Sequence, residues 1–122
     1  MIGGVVGVFY IATGAWSFLF PGNFYSAIAS FAPYNLHLFH DVGAFQVGLG
    51  AVLVAAAVSG KGLAPELMGM LVGSGLHLAA HLLDLSLGGH PTTDIPALTL
   101  IVILLGIGLF MSLRRPPPLR RR

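Results

Sequence analysis

The chain has 122 residues, of which 56% are hydrophobic and only 8% are charged. Water-soluble domains carry about one quarter charged residues, so this composition excludes an ordinary soluble fold. The absence of cysteine excludes disulfide bonds and thiolate metal sites.

Four apolar runs predict four membrane-spanning helices. They cover residues 1–20, 36–58, 64–88 and 95–113. Each run is long enough for a hydrocarbon core, which takes about 20 helical residues to cross. Because the connections are short, we expect an all-α antiparallel four-helix bundle over residues 1–113. A basic cytoplasmic tail rich in Pro and Arg follows at residues 114–122.

The segment between the first two spans predicts a short outer helix in the membrane interface. Phe24, Ile28 and Phe31 recur there at the spacing of an amphipathic helix. Two side chains are also placed to cap spans: Asn35 at the start of the second and Asp94 at the start of the fourth.

All six basic residues fall on one side of the predicted bundle. They are Lys61, Arg114, Arg115, Arg120, Arg121 and Arg122. The positive-inside bias therefore predicts a multi-pass protein of the cell (inner) membrane whose N and C termini are cytoplasmic. The lipid bilayer is the expected partner, and a basic tail behind a membrane helix indicates no nucleic-acid partner.

Polar side chains are concentrated in the extracytoplasmic half of the third span. His77, His81 and Asp84 stand at i, i+4 and i+7, within about 40° of one another around the helix. A carboxylate inside a membrane requires a partner or water, so we expect this face to point into the bundle.

The start of the second span carries a matching face. His37, His40 and Asp41 stand at i, i+3 and i+4, at depths similar to those of the third-span group. We therefore expect His–Asp contacts between the two spans. Gln46 is close to His77 in depth but points away from the His37 face, so we expect it to meet another helix.

The His and Asp residues of these two faces are compatible with more than one kind of chemistry. The set His77, His81, Asp41 and His40 could hold a divalent metal, because His-x-x-x-His can chelate one ion from a single helix. Haem is disfavoured, since a bis-His iron needs helix backbones roughly 13 Å apart and neighbouring helices pack at about 8 to 10 Å. Proton or ion conduction by an oligomer is a further alternative.

Small residues predict close helix contacts within the bundle or across a subunit interface. Gly3 with Gly7, and Gly69 with Gly73, form small-xxx-small pairs.

The stretches YNLHLFHDVGAFQVGLGAVL and GLHLAAHLLDL resemble a group of small, largely uncharacterised four-helix membrane proteins of actinobacteria, broadly similar to DoxX-like bundles. The resemblance covers the second and third spans best. It implies a four-helix fold in which Asn35, His37 and Asp41 face His77 and His81, and it implies no activity.

Two interpretations follow. In the first, the protein is a non-catalytic subunit of a homo-oligomer or larger membrane assembly, and its His and Asp residues are contacts between helices. In the second, the polar cluster is a membrane-embedded site, metal-binding or catalytic, that acts on a small or lipid-like substrate. Whether the protein is an enzyme is left open at this stage.

Overall fold

The computed structural model describes residues 1–60 and 63–114. These ranges contain five α-helices: α1 (Ile2–Leu19), α2 (Pro21–Ala27), α3 (Leu36–Ser59), α4 (Leu63–Leu83) and α5 (Pro91–Leu113). All except α2 are long and apolar enough to cross a membrane. The predicted all-α four-helix bundle is confirmed, and the chain is a small multi-pass membrane protein. Lys61 and the tail beyond Arg114 lie outside the described residues.

Two predicted span ends are wrong. The sequence predicts a third span that reaches Gly88, but α4 ends at Leu83, and the chain later turns through Gly88 and Gly89, both at positive φ. The fourth was expected to begin at Ile95, but α5 begins at Pro91, where a proline suits a first turn. Asp94 therefore lies inside the first turn of α5 instead of preceding the helix.

The start of α3 agrees with the predicted cap. The Asn35 side chain accepts a hydrogen bond from the Leu38 backbone N–H at 3.2 Å. This bond satisfies one of the backbone donors that a helix leaves free in its first turn.

The short helix α2 is shorter than the predicted amphipathic segment. It ends at Ala27, so Ile28 caps it and Phe31 lies beyond it. Phe24 is buried, with its ring edge-on to those of Trp16 and Phe39. Beyond the helix, Phe31 forms an antiparallel β-bridge with Gly88. Phe24 thus anchors α2 over α1 and α3.

Four glycines hold α1 and α3 together. Gly7 faces Gly50 and Gly14 faces Gly43, so two seven-residue spacings meet in antiparallel register. A Cβ added at Gly50 would lie 2.5 Å from the Gly7 carbonyl oxygen, and one added at Gly14 would lie 2.7 Å from that of Gly43. No other residue type has room at these positions, and the two backbones are in direct contact.

The apolar core lies toward one end of the bundle, which we call the terminal end because Met1, Gly60 and Arg114 are found there. Leu53, Leu67 and Leu105 are fully buried at its centre. The opposite end, with α2 and the α4–α5 connection, is called the α2 end. At mid-length, the Tyr10 hydroxyl lies 2.6 Å from Ser74 Oγ, which joins α1 to α4.

The two predicted glycine pairs behave differently. Gly7 is confirmed as a close-contact position, and Gly3 lies against the Leu63 side chain. Gly69 and Gly73, by contrast, have no atom within 4 Å of an added Cβ. Within the described structure they contribute nothing to bundle packing.

Replacing Gly50 by Ala should destabilise the protein by about 1 to 3 kcal/mol, because the new methyl group must push α1 away from α3. Unfolding in mixed detergent micelles measures the free energy. Gly48→Ala is the matched control, since it gives the same helix-propensity gain on the same helix with open space around the Cβ. Equal stabilities for the two variants would contradict the role given to Gly50.

Candidate functional site

A histidine and an aspartate meet at the α2 end, between α4 and α5. His81 Nδ1 lies 3.8 Å from Asp94 Oδ2. The two side chains are only 18% and 12% exposed, which is low for ionisable groups in this chain. His81 lies in the last turn of α4 and Asp94 in the first turn of α5, so the short α4–α5 connection brings them together.

The Asp94 carboxylate also organises the start of α5. Its Oδ2 accepts a hydrogen bond of 2.7 Å from the backbone N–H of His90, the N-cap residue of the helix. A carboxylate near a helix N-terminus is further stabilised by the helix dipole. One oxygen of Asp94 therefore serves both the helix start and the contact with His81.

The two connections at the α2 end are joined by what we call the loop clasp, made of Ser30, Phe31, Gly88, Gly89 and His90. Phe31 and Gly88 form an antiparallel β-bridge, and the Gly89 N–H donates to the Ser30 carbonyl at 3.4 Å. Ser30 Oγ lies 3.4 Å from His90 Nε2. The clasp ties the half of the chain containing α1 and α3 to the half containing α4 and α5.

The loop clasp requires glycine at positions 88 and 89, because of the backbone conformation there and because of the limited space for a side chain. Gly88 and Gly89 have φ of 140° and 77°, where side chains are strained. A Cβ added at Gly89 would lie 2.7 Å from the Phe31 ring. The same ring meets His81 edge-on, with centroids 5.5 Å apart. Phe31 therefore contacts His81 and leaves no room for a side chain at Gly89.

His77 extends the polar group one turn along α4. Its ring centroid lies 4.9 Å from that of His81, although His77 itself is exposed. One turn further lies Ser74, which is buried and bonded to Tyr10. Polar groups thus follow α4 from mid-length to the α2 end.

The predicted contact between the α3 and α4 polar faces is wrong. His37 Nε2 pairs with Asp41 Oδ2 of its own helix at 3.4 Å, and these side chains are 85% and 53% exposed. Within residues 1–60 and 63–114, no ion pair or hydrogen bond joins them to His77 or His81. The reason is helix rotation: Asp41 is nine residues from Gly50, which is half a turn around α3, so it points away from α1.

The other predicted site residues are scattered. The His40 ring lies 5.1 Å from that of Phe18 on α1. Gln46 packs against Gly14, as expected for a residue meeting another helix, and its Oε1 is buried without a hydrogen-bond partner among the described residues. Asp84 directly follows α4, and its backbone N–H donates to the Ala80 carbonyl at 2.9 Å.

The predicted metal set is not assembled. In the part of the chain that the structure describes, no three His, Cys, Asp or Glu residues are grouped so that they could hold a metal ion. His77 and His81 remain neighbours, but His40 and Asp41 lie on α3 with other partners.

Sequence reasoning missed the role of Asp94 in the polar group and that of Phe31 beside it. Asp94 was interpreted only as a helix cap. The signal that could have found it is the short connection, since residues at the end of one antiparallel helix and the start of the next lie side by side. The position of Phe31 depends on the contact between two loops, for which the sequence carries no local pattern.

Comparisons with protein families, with curated proteins and with solved structures found no match for this chain.

Asp94→Ala should lower the free energy of unfolding by about 0.5 to 2 kcal/mol, because the His90 backbone N–H at the helix start loses its acceptor and the His81 ring loses the carboxylate beside it. Hydrogen exchange should show faster exchange at Gly89 and His90 in the same variant. Asp84→Ala is the matched control, as it removes a carboxylate from the same end of the bundle. If both variants keep wild-type exchange, Asp94 does not hold the clasp.

Proposed function

We propose that the protein is a non-catalytic subunit of a homo-oligomer or larger assembly in the cell membrane. The observation that carries this proposal is the position of Asp41. Its carboxylate is on a membrane-spanning helix, 53% exposed, on the side of α3 turned away from α1. Among the described residues its ion-pair partner is His37 of the same helix, which is itself 85% exposed.

Asp41 lies about 8 Å along α3 from Leu36 at 1.5 Å per residue, between the end of the span and the bilayer centre. The insertion cost of a carboxylate is about 2.5 to 3.5 kcal/mol at the bilayer centre and smaller nearer the interface. Intramembrane carboxylates nevertheless face protein or a water-filled cavity. Its neighbour His37 is even more exposed and shields little. A neighbouring subunit would supply the cover that the chain lacks.

The open glycines of α4 support the same proposal. Gly69 and Gly73 have the spacing at which helices pack closely, yet nothing in the described chain lies against them. In the α1–α3 contact, by comparison, the backbone of the neighbouring helix lies directly against each glycine. A helix of another subunit would fit this face of α4.

The internal polar contacts favour a structural role over a catalytic one. Asp94 is already engaged by His81 and the His90 N–H, and Ser74 by Tyr10. These contacts each connect two parts of the fold. They occupy the polar groups of Ser74 and Asp94 without requiring a substrate.

We further propose that the terminal end faces the cytoplasm. Arg114 lies at this end, with its guanidinium carbon 4.1 Å from the centroid of the Phe110 ring. In the sequence, the remaining basic residues follow α3 or Arg114. Cytoplasmic loops carry an excess of such residues, so the α2 end would face outward.

Asp41→Leu should shift the protein from the assembled to the single-chain form, because the partner loses its polar contact. Native gel electrophoresis of mildly solubilised membranes measures the shift. Asp84→Leu, a change of the same kind at the same end, should leave the assembly intact. A wild-type protein that runs as a single chain, and cannot be cross-linked to any protein in native membranes, would contradict the proposal.

A second candidate function is a site for a small or lipid-like substrate at the α2 end. It is favoured by one observation: the exposed ring of His77 lies beside the largely buried His81–Asp94 pair. The imidazole nitrogens of His77 and His81 could exchange hydrogen bonds with a hydroxyl or carbonyl group of a substrate.

Native mass spectrometry tests this candidate. Wild-type protein should retain a small molecule or lipid that His77→Leu loses, whereas His37→Leu should retain it. The candidate fails if wild-type protein carries nothing beyond the lipids that all variants carry.

A further inference from the structure

We infer that the site at His77 takes an uncharged membrane lipid with a free hydroxyl, such as a long-chain alcohol, whose oxygen bridges the rings of His77 and His81. The inference rests on the second candidate function and names the substrate class of that site. It requires neither a charged headgroup nor a second subunit.

The two imidazoles have hydrogen-bonding capacity to spare. Among the described residues, no hydrogen bond involves the ring of His77 or that of His81. The Asp94 carboxylate beside His81 is 3.8 Å away, which is beyond hydrogen-bond distance. A neutral imidazole has one N–H donor and one acceptor nitrogen. A hydroxyl can serve both kinds of nitrogen, whereas a carbonyl oxygen can only accept.

The spacing of the two rings suits a single bridging oxygen. An oxygen that hydrogen-bonds to two nitrogens at about 2.8 Å, with a tetrahedral angle between the bonds, spans nitrogens about 4.6 Å apart. The ring centroids of His77 and His81 are 4.9 Å apart, and the ring planes are inclined by 60°. One hydroxyl can therefore accept from one ring and donate to the other.

The depth of the site in the membrane favours an uncharged ligand. His77 lies six residues before Leu83, the last residue of α4, or about 9 Å along the helix axis. Ionised groups are costly below the membrane interface, and the Asp94 carboxylate beside His81 would repel a phosphate. A hydroxyl carries no charge, so a lipid can bring it to this depth.

The same side of α4 leaves room for an apolar tail. Gly73 and Gly69 precede His77 by four and eight residues, so the three positions follow one ridge of the helix toward the terminal end. No atom of the described residues lies within 4 Å of a Cβ added at either glycine. Val72 and Met68, which are 55% and 48% exposed, border this ridge. A tail lying there takes the place that the first proposal gives to a helix of another subunit.

Paired ligands test the hydroxyl. Oleyl alcohol should bind the purified full chain about three- to fifteenfold more tightly than oleyl methyl ether, because the ether has the same tail but no hydrogen to donate. Titration followed by native mass spectrometry measures the two affinities. Equal affinities would mean that water or another protein satisfies the two rings, and would overturn the inference.

Histidine variants locate the hydroxyl. His77→Leu should lose the preference for the alcohol, whereas His37→Leu, a matched change at an exposed histidine of α3, should keep it. His77→Gln retains a donor and an acceptor and should keep part of the preference, which separates lost hydrogen bonding from lost folding. A preference that survives in a folded His77→Leu protein would overturn the inference.

The outcomes also separate this inference from the second candidate function. If the protein retains a membrane molecule that His77→Leu loses, yet shows no preference for the alcohol, the site stands and its ligand has a different chemistry. If wild-type protein retains no such molecule and binds neither probe, both are wrong.

Discussion

The backbone contact between α1 and α3 determines the geometry of the rest of the molecule. Because Gly43 and Gly50 must face α1, the rotation of α3 about its own axis is fixed. The direction of every other side chain of α3 then follows from the helical rotation of 100° per residue. Gln46 is turned toward α1, whereas Asp41 is turned to the outside.

This constraint explains why the polar residues separate into two groups. The α4 residues His77 and His81 find their polar neighbours along α4 itself and on α5, through the short connection to Asp94. The α3 residues His37 and Asp41 form an ion pair with each other. A polar face shared by α3 and α4 would require α3 to rotate, which would separate Gly50 from Gly7 and break the closest contact of the fold.

Much of the architecture could be predicted from composition and hydropathy. The spans and the Asn35 cap follow from local chemistry, since apolar length and a helix N-cap are properties of a few neighbouring residues. The direction of the α3 polar face could not be obtained that way. That direction depends on which glycines of α1 and α3 contact each other. The sequence signal for this contact is the equal seven-residue spacing from Gly7 to Gly14 and from Gly43 to Gly50. Judged by sequence, the four-residue pair Gly69 and Gly73 is equally suited to close helix packing. No atom of the described residues, however, lies within 4 Å of a Cβ added at either position.

The pairing of the spans has a consequence for synthesis. The two most extensively packed pairs, α1 with α3 and α4 with α5, each join spans that are consecutive along the chain. The amino-terminal pair can therefore form as soon as α3 leaves the ribosome, before α4 is made. The loop clasp and the apolar core form last, when the second hairpin docks on a first hairpin that is already complete.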